Sequence, residues 1–235
     1  MKEQAILFNS TYCTGCNTCT YKCVQEFGDQ SIAAQGLFRT LVLIKDDGIL
    51  KKQCMQCKDP QCVEASQGAF TKTAYGAVLM EGEKLKDGKT VAGACPFHAI
   101  QQDGASGKVI DCNLCAHRLT EGRKPACVEV CLSGALESGD YEVMVAKAKD
   151  LASSKKLHIY GLKENGGTRL LILTKADPVS LGYPNVGRKR LRAGLIEDLG
   201  ATPLLAGAVY VGLKKYSDRR AAVAATQVDG ESGSK

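Results

Sequence analysis

The chain has 235 residues, enough for one or two small domains. Hydrophobic residues make up 44% but aromatics only 6%, with no Trp, which excludes a large aromatic core. Lys and Arg outnumber Asp and Glu by 31 to 25, a formal charge of +6 that on its face suggests a polyanionic partner.

In chain order, residues 5–8 form a short strand that leads into Cys13, Cys16, Cys19 and Cys23, a C-x₂-C-x₂-C-x₃-C run. Residues 37–45 are β-rich, and Asp46-Asp47-Gly48 turns them into residues 49–52, so a hairpin is expected. A second group, Cys54, Cys57 and Cys62, follows. Residues 77–80 and 108–110 read as short strands, and 84–90 as a polar turn. Between them Cys95 stands alone before Pro96, and a last group holds Cys112, Cys115, Cys127 and Cys131. Residues 140–153 start on Asp and keep apolar positions at helical spacing without a breaker, so they predict a helix. His158 opens a strand, and 168–174 is a strand too apolar to be exposed on both faces.

The first run has the spacing of a bacterial-type cubane loop, in which three thiolates hold one [4Fe–4S] cluster and the fourth holds another. Twelve cysteines divide into three complete sets with none left over. Ligation free energy then substitutes for part of the missing core. The formal charge also changes meaning. An oxidised cubane on four thiolates carries roughly −2, so three contribute about −6. The loaded protein is near neutral, the excess Lys and Arg is local compensation, and a nucleic-acid partner is rejected. Residues 1–8 hold no long apolar stretch and no cleavage site, so no signal peptide is expected and a disulfide framework is disfavoured. A zinc-stabilised interaction module is the alternative of a different class. Zinc explains the Cys-x₂-Cys pairs but not the run ending at Cys23.

The cysteine segments look like four copies of one unit, two of them incomplete. In the second copy Ser66 stands where the fourth ligand belongs. In the third, counting back from Cys95 puts the first three ligand positions at Leu85, Gly88 and Val91. If fourth ligands cross between paired copies, Cys54, Cys57, Cys62 and Cys95 make one cluster, and the four missing ligands all belong to one lost cluster. Pairing the first and last copies gives Cys13, Cys16, Cys19 with Cys131, and Cys112, Cys115, Cys127 with Cys23. A local set, Cys13 through Cys23 on one cluster, is the other assignment.

The stretches TYCTGCNTCTYKC, KQCMQCKDPQCVEA, AGACPFHAI and IDCNLCAHRLTEGRKPACVEVCLSGALESGD resemble the ferredoxin-like iron–sulfur (beta) subunits of molybdenum and tungsten pterin oxidoreductases. The likeness covers residues 2–140 and is nearest to three-cluster formate dehydrogenase beta subunits, whose third run is degenerate. It implies an α+β fold of two ferredoxin-like modules with short strands, cluster-binding loops, few helices and a C-terminal helical extension. It also implies a wire of three [4Fe–4S] clusters, with no catalytic site of its own, between a molybdo- or tungstopterin catalytic subunit and an external acceptor, a cytochrome or a membrane subunit. Dearomatising reductases, hydroxyl-transferring enzymes and polysulfide, sulfoxide or nitrate reductases have similar partners and are the alternatives to formate. Cys23 is followed by Val24 and Cys131 by Leu132 where proline is common in the group, which touches loop geometry and not ligation.

The expected organisation is a discontinuous first module (1–50 with 108–140, two clusters), a second module (51–107, one cluster), a closing helix and strand (141–183) and a C-terminal extension (184–235) with a disordered tail. His98 and His117, near Cys95 and Cys115, read as loop histidines bonded to backbone sooner than as tuners of potential, and His158 as structural. Arg123 and Lys124 either offset cluster charge or bridge two clusters, or form a solvated surface pair. Ser66 is vestigial. The pairs Gly166-Gly167 and Gly104/Gly107 mark turns, not a dinucleotide loop. Residues 199–213 are apolar but shorter than the ~20 a bilayer span needs. With basic residues at 188–192 and 214–220 they suit a membrane surface or an acidic partner. Both cytoplasmic and periplasmic locations are compatible with the sequence.

Overall fold

A computed structural model describes residues 2–187. Strand β1 (Gln4–Asn9) sits in a four-stranded sheet ordered β8-β1-β10-β9, with β8 (Leu136–Asp140), β9 (His158–Tyr160) and β10 (Leu170–Thr174). It runs parallel to β10 with Ile6 opposite Leu170 and Phe8 opposite Ile172, and antiparallel to β8. Every residue of β10 is buried, as its unbroken apolar run requires of a central strand.

The two faces of this sheet do different work. Ala5, Leu7, Leu171 and Leu173 pack beneath α7 (Tyr141–Lys155) through Met144, Val145 and Ala148. Ile6, Phe8, Leu170 and Ile172 point the other way, into a cluster that includes Cys19, Cys57, Cys127 and Leu114. The sheet is therefore a wall with its helix behind and the cysteines in front.

In front stand the hairpin of β2 (Thr40–Lys45) and β3 (Gly48–Gln53), two more two-stranded ribbons, and short helices carrying or flanking the cysteines. The ribbons pair β4 (Phe70–Lys72) with β5 (Val78–Met80) and β6 (Gln101–Gln102) with β7 (Val109–Ile110). The helices are α1 (Thr18–Phe27), α2 (Gln30–Ala33), α3 (Gln61–Ala65), α4 (Gly88–Ala94), α5 (Ala116–Thr120) and α6 (Ala126–Glu129). The hairpin is locked to the first cysteine run by Asn17. That residue is left-handed at φ 57°; its side chain donates to the Val42 carbonyl and accepts from the Val42 N–H, both at 3.1 Å.

One expectation needs correction. Residues 84–90 are not one polar turn: Asp87 accepts from the Thr90 N–H at 3.0 Å and starts α4 at Gly88. The segment Leu136–Asp140 pairs as strand β8 although it has one apolar residue, because its backbone completes the edge beside β1. The basic and apolar stretches at 188–192, 199–213 and 214–220, and the tail at 228–235, lie outside the described residues. No helix among the described residues is long and apolar enough to cross a membrane.

Candidate metal centres

None of the twelve cysteines is in a disulfide, and they gather in three places. Cys13, Cys16, Cys19 and Cys131 line one cavity together with Phe8, Val42 and Leu136. Its walls come from opposite ends of the cysteine-bearing sequence: the first run leaves β1, whereas Cys131 lies between α6 and β8. Cys16 is exposed, Cys13 and Cys131 are half-buried, and Cys19 is buried. Thr18 Oγ1 donates to Cys16 Sγ at 3.4 Å, and the hydrogen bonds from Thr18 lower the Cys16 thiol pKa.

Cys54, Cys57, Cys62 and Cys95, all buried, line a second cavity with Pro60, Val78, Phe97 and Ile100. The Ala99 N–H points to Cys95 Sγ at 3.5 Å. The third set is Cys23, Cys112, Cys115 and Cys127, again all buried. Burial is the main force raising the Cys112 thiol, and the charges of Cys23, Cys115 and Cys127 add to it. Cys23 is raised in the same way, by burial and then by Cys127 and Cys115.

Among the described residues no three His, Cys, Asp or Glu side chains converge tightly enough for a single metal ion. A mononuclear site needs its sulfurs about 2.3 Å from one point. A cubane instead spreads four thiolates over four iron corners. Burial pushes Cys62 and Cys127 up to about 12, so these thiols stay protonated unless a cation meets them. A polycationic iron–sulfide core supplies that charge, so the donor sets fit such a group.

Polar side chains tie the distant runs together. Arg118 on α5 is fully buried; it donates to Glu26 of α1 at 2.9 Å, to the Lys124 carbonyl at 2.8 Å and to Glu129 of α6. It thereby clamps the helix bearing Cys23 to the segments bearing Cys115 and Cys127. Gln56, left-handed and fully buried, donates to the Cys112 carbonyl and accepts from the Val78 N–H at 2.7 Å. Asp111, beside Cys112, is pushed up to about 6 by burial against the opposing pull of Arg39.

Other sequence candidates fall differently. His117 does not bond backbone: its Nε2 lies 3.0 Å from Glu26 Oε1 and its ring stands edge-on to Phe27. His98 is exposed on a left-handed residue, and His158 opens β9 as expected. Arg123 and Lys124 are exposed, with Arg123 paired to Glu121. The buried cations among the described residues are instead Arg118, Lys51 and Arg169, which nothing in their sequence neighbourhood singles out.

The lost-cluster positions hold ordinary core. Ser66 Oγ donates to the Val63 carbonyl and accepts from the Phe70 N–H, each at 2.9 Å. Val91 is buried with Phe70 and Val109, and Leu85 packs against them. A Cβ on Gly88 would come within 2.5 Å of Val109 Cγ2.

Residues 46–141 match the model of the 4Fe-4S dicluster domain family. The sequence is 30% identical over 210 residues to the formate dehydrogenase-O iron–sulfur subunit of Escherichia coli, covering 77% of this chain and 70% of that protein. This protein belongs to the 4Fe-4S dicluster iron–sulfur subunits. Such a subunit binds [4Fe–4S] clusters and transfers electrons within an oxidoreductase complex. It is also similar to the hydrogenase-2 operon protein HybA of Shigella flexneri, at 27% over 239 residues, 77% of this chain and 73% of that protein. To one polypeptide of the anaerobic dimethyl sulfoxide reductase of Escherichia coli it is 29% identical over 167 residues, 64% of this chain and 80% of that one.

The Arg118 clamp yields an expected outcome for this iron–sulfur subunit. Arg118→Met leaves Glu26 without its buried donor. Breaking a buried pair costs about 3 kcal/mol at the lower end of the usual range, which applies because Glu129 is half exposed. The denaturation midpoint of the loaded protein should fall accordingly. An unchanged midpoint would mean the clamp carries no load.

Proposed function

We propose that this iron–sulfur subunit is a wire of three [4Fe–4S] clusters. Cys13, Cys16, Cys19 and Cys131 hold the first, Cys112, Cys115, Cys127 and Cys23 the second, and Cys54, Cys57, Cys62 and Cys95 the third. The observation that carries this reading is the cavity that four cysteines share although Cys131 is over a hundred positions from the other three. The mutual charges of Cys23, Cys112, Cys115 and Cys127 support the reciprocal crossing. In this reading the polypeptide forms two ferredoxin-like modules. Residues 1–50 and 108–140 make the two-cluster one, and 51–107 the one with a single cluster.

Bound clusters supply one-electron steps, and the protein supplies the rest. Its thiolates fix the cubes, its apolar side chains keep water off the interior sulfurs, and its donors to sulfur set potentials. Electrons enter from a pterin-containing catalytic subunit of the formate dehydrogenase type and leave to an external or membrane acceptor. Similarity to the formate dehydrogenase-O subunit supports the formate assignment. The comparable identity to the dimethyl sulfoxide reductase polypeptide favours, as the second reading, the same wire on another pterin oxidoreductase.

Iron and acid-labile sulfide should each measure about twelve per chain. The complex purified through this subunit should reduce a dye with formate. About eight iron atoms, or zinc without sulfide, would overturn the three-cluster reading. A fully loaded complex inert to formate but active with dimethyl sulfoxide would move the subunit to the second reading.

A further inference from the structure

Lys51 lies on β3, inside the hairpin that covers the first cysteine run, and its side chain is buried to 1% exposure. Both Leu50 and Lys51 are buried although they point to opposite faces, because the hairpin is covered on both sides. The Lys51 ammonium donates to Thr40 Oγ1 at 2.7 Å, points to Cys19 Sγ at 3.8 Å and lies 5.8 Å from the centre of the Phe8 ring. Its backbone N–H is held by the Tyr183 hydroxyl at 2.9 Å. Among the described residues it has no carboxylate within ion-pair distance.

A buried cation is costly to keep charged, and a counter-charge offsets that cost. The other buried cations have theirs in plain sight, Arg118 on Glu26 and Glu129 and Arg169 on Glu3, as does half-buried Arg39 on Asp29. What Lys51 faces is sulfur. Cys19 in turn packs in one buried cluster with Cys127 of the second set, and the Lys51 charge favours the ionised form of Cys13, Cys23 and Cys127 alike. The anion that completes its environment is therefore of the thiolate–cluster kind, and two sets share it.

We propose that Lys51 is a positioning residue for electron transfer, a fixed ammonium shared by the Cys13/Cys16/Cys19/Cys131 and Cys23/Cys112/Cys115/Cys127 clusters that raises both potentials together. This inference rests on the three-cluster reading above. Reduction makes a cluster more negative by one charge, and a nearby ammonium stabilises that form over the oxidised one. When the electron moves on, one cluster is oxidised by one electron and its neighbour reduced by one, while Lys51 exchanges no proton. Because the cation sits by both clusters, both potentials rise relative to the Cys54/Cys57/Cys62/Cys95 cluster.

The test uses the full-length protein loaded with iron and sulfide, titrated with reductant and followed by EPR. In Lys51→Met and Lys51→Gln two of the three clusters should become harder to reduce by at least tenfold in the equilibrium constant. That corresponds to about 59 mV for a one-electron couple. The third cluster should not move, and Lys51→Arg should stay within about threefold of wild type. If the neutral variants lose about eight iron atoms while Lys51→Arg keeps all, the charge is needed to hold the same two clusters, which also supports the proposal. Neutral variants that load fully and titrate as wild type overturn it, as does an arginine variant that loses iron like the neutral ones. A readout independent of variant folding is pulsed EPR of wild-type protein grown on ¹⁵N-lysine. It should show a lysine nitrogen coupled to a reduced cluster that disappears in unlabelled protein, and absence of that coupling overturns the assignment. Iron and sulfide on the wild type are read first. Their absence sinks the three-cluster reading and this inference with it, whereas a loaded wild type with unmoved potentials in the variants sinks the inference alone.

Discussion

Combining Cys16→Ala with Cys131→Ala is expected to remove about four iron atoms per molecule, no more than either single substitution removes. The two side chains line one cavity, so once the first is gone the second has nothing left to hold. Cys16→Ala with Cys23→Ala should behave oppositely, removing about eight, because the proposed assignment puts Cys23 with Cys112, Cys115 and Cys127. A ligand set confined to the first run reverses both results. Iron and sulfide counts with the number of EPR-active clusters decide between the two, and alanine is preferred to serine because a serine oxygen can itself ligate iron. An eight-iron loss in the first pair would end the crossed assignment.

Writing cysteine back at Ser66, Leu85, Gly88 and Val91 restores a four-cluster pattern in the sequence, and it is expected to bind no fourth cluster. These positions are filled by packed side chains. Val91 is fully buried among Phe70, Val109 and Ile100, and Ser66 now closes the end of α3 by bonding Val63 and Phe70. A Gly88 side chain meets Val109 at 2.5 Å, an overpacking that costs roughly 1–3 kcal/mol. Shrinking Leu85 and Val91 removes buried methyl groups at about 1 kcal/mol each. The quadruple variant should therefore keep wild-type iron and lose about 3 kcal/mol of stability, read from the denaturation midpoint. About sixteen iron atoms per molecule would show that the pocket reopens.

Much of the architecture is written in local pattern. The unbroken run of β10, the two-residue turn of the β2–β3 hairpin and the amphipathic α7 were legible because each repeats one physical signal over several residues. Strand β8 was not, because LESGD has neither alternation nor β-branched residues and is recruited by its backbone alone. The short helices of the cysteine segments were hidden for a related reason: glycine, asparagine and cysteine at their ends argue for loops, and left-handed residues such as Asn17 and Cys115 start them. At the sites, spacing pointed to the cysteines but could not point to the charges around them. Arg118 and Lys51 look like any surface cation in sequence. Only the crossing of α1 over α6, and the covering of both hairpin faces, takes them out of water. Adjacent Arg123 and Lys124 drew attention for being next to Cys127, yet they face solvent.

The place of β1 in its sheet has a consequence for how the polypeptide is made. The strand emerges from the ribosome ahead of both its neighbours, residues 136–140 and 170–174, and must wait for them. Nascent polypeptides fold from the N-terminus as they lengthen, and pairing across so much sequence is slow. Until residue 174 has been translated, β1 lacks its parallel neighbour. Any truncation before residue 170 leaves the leading strand without the parallel neighbour on that side of the sheet.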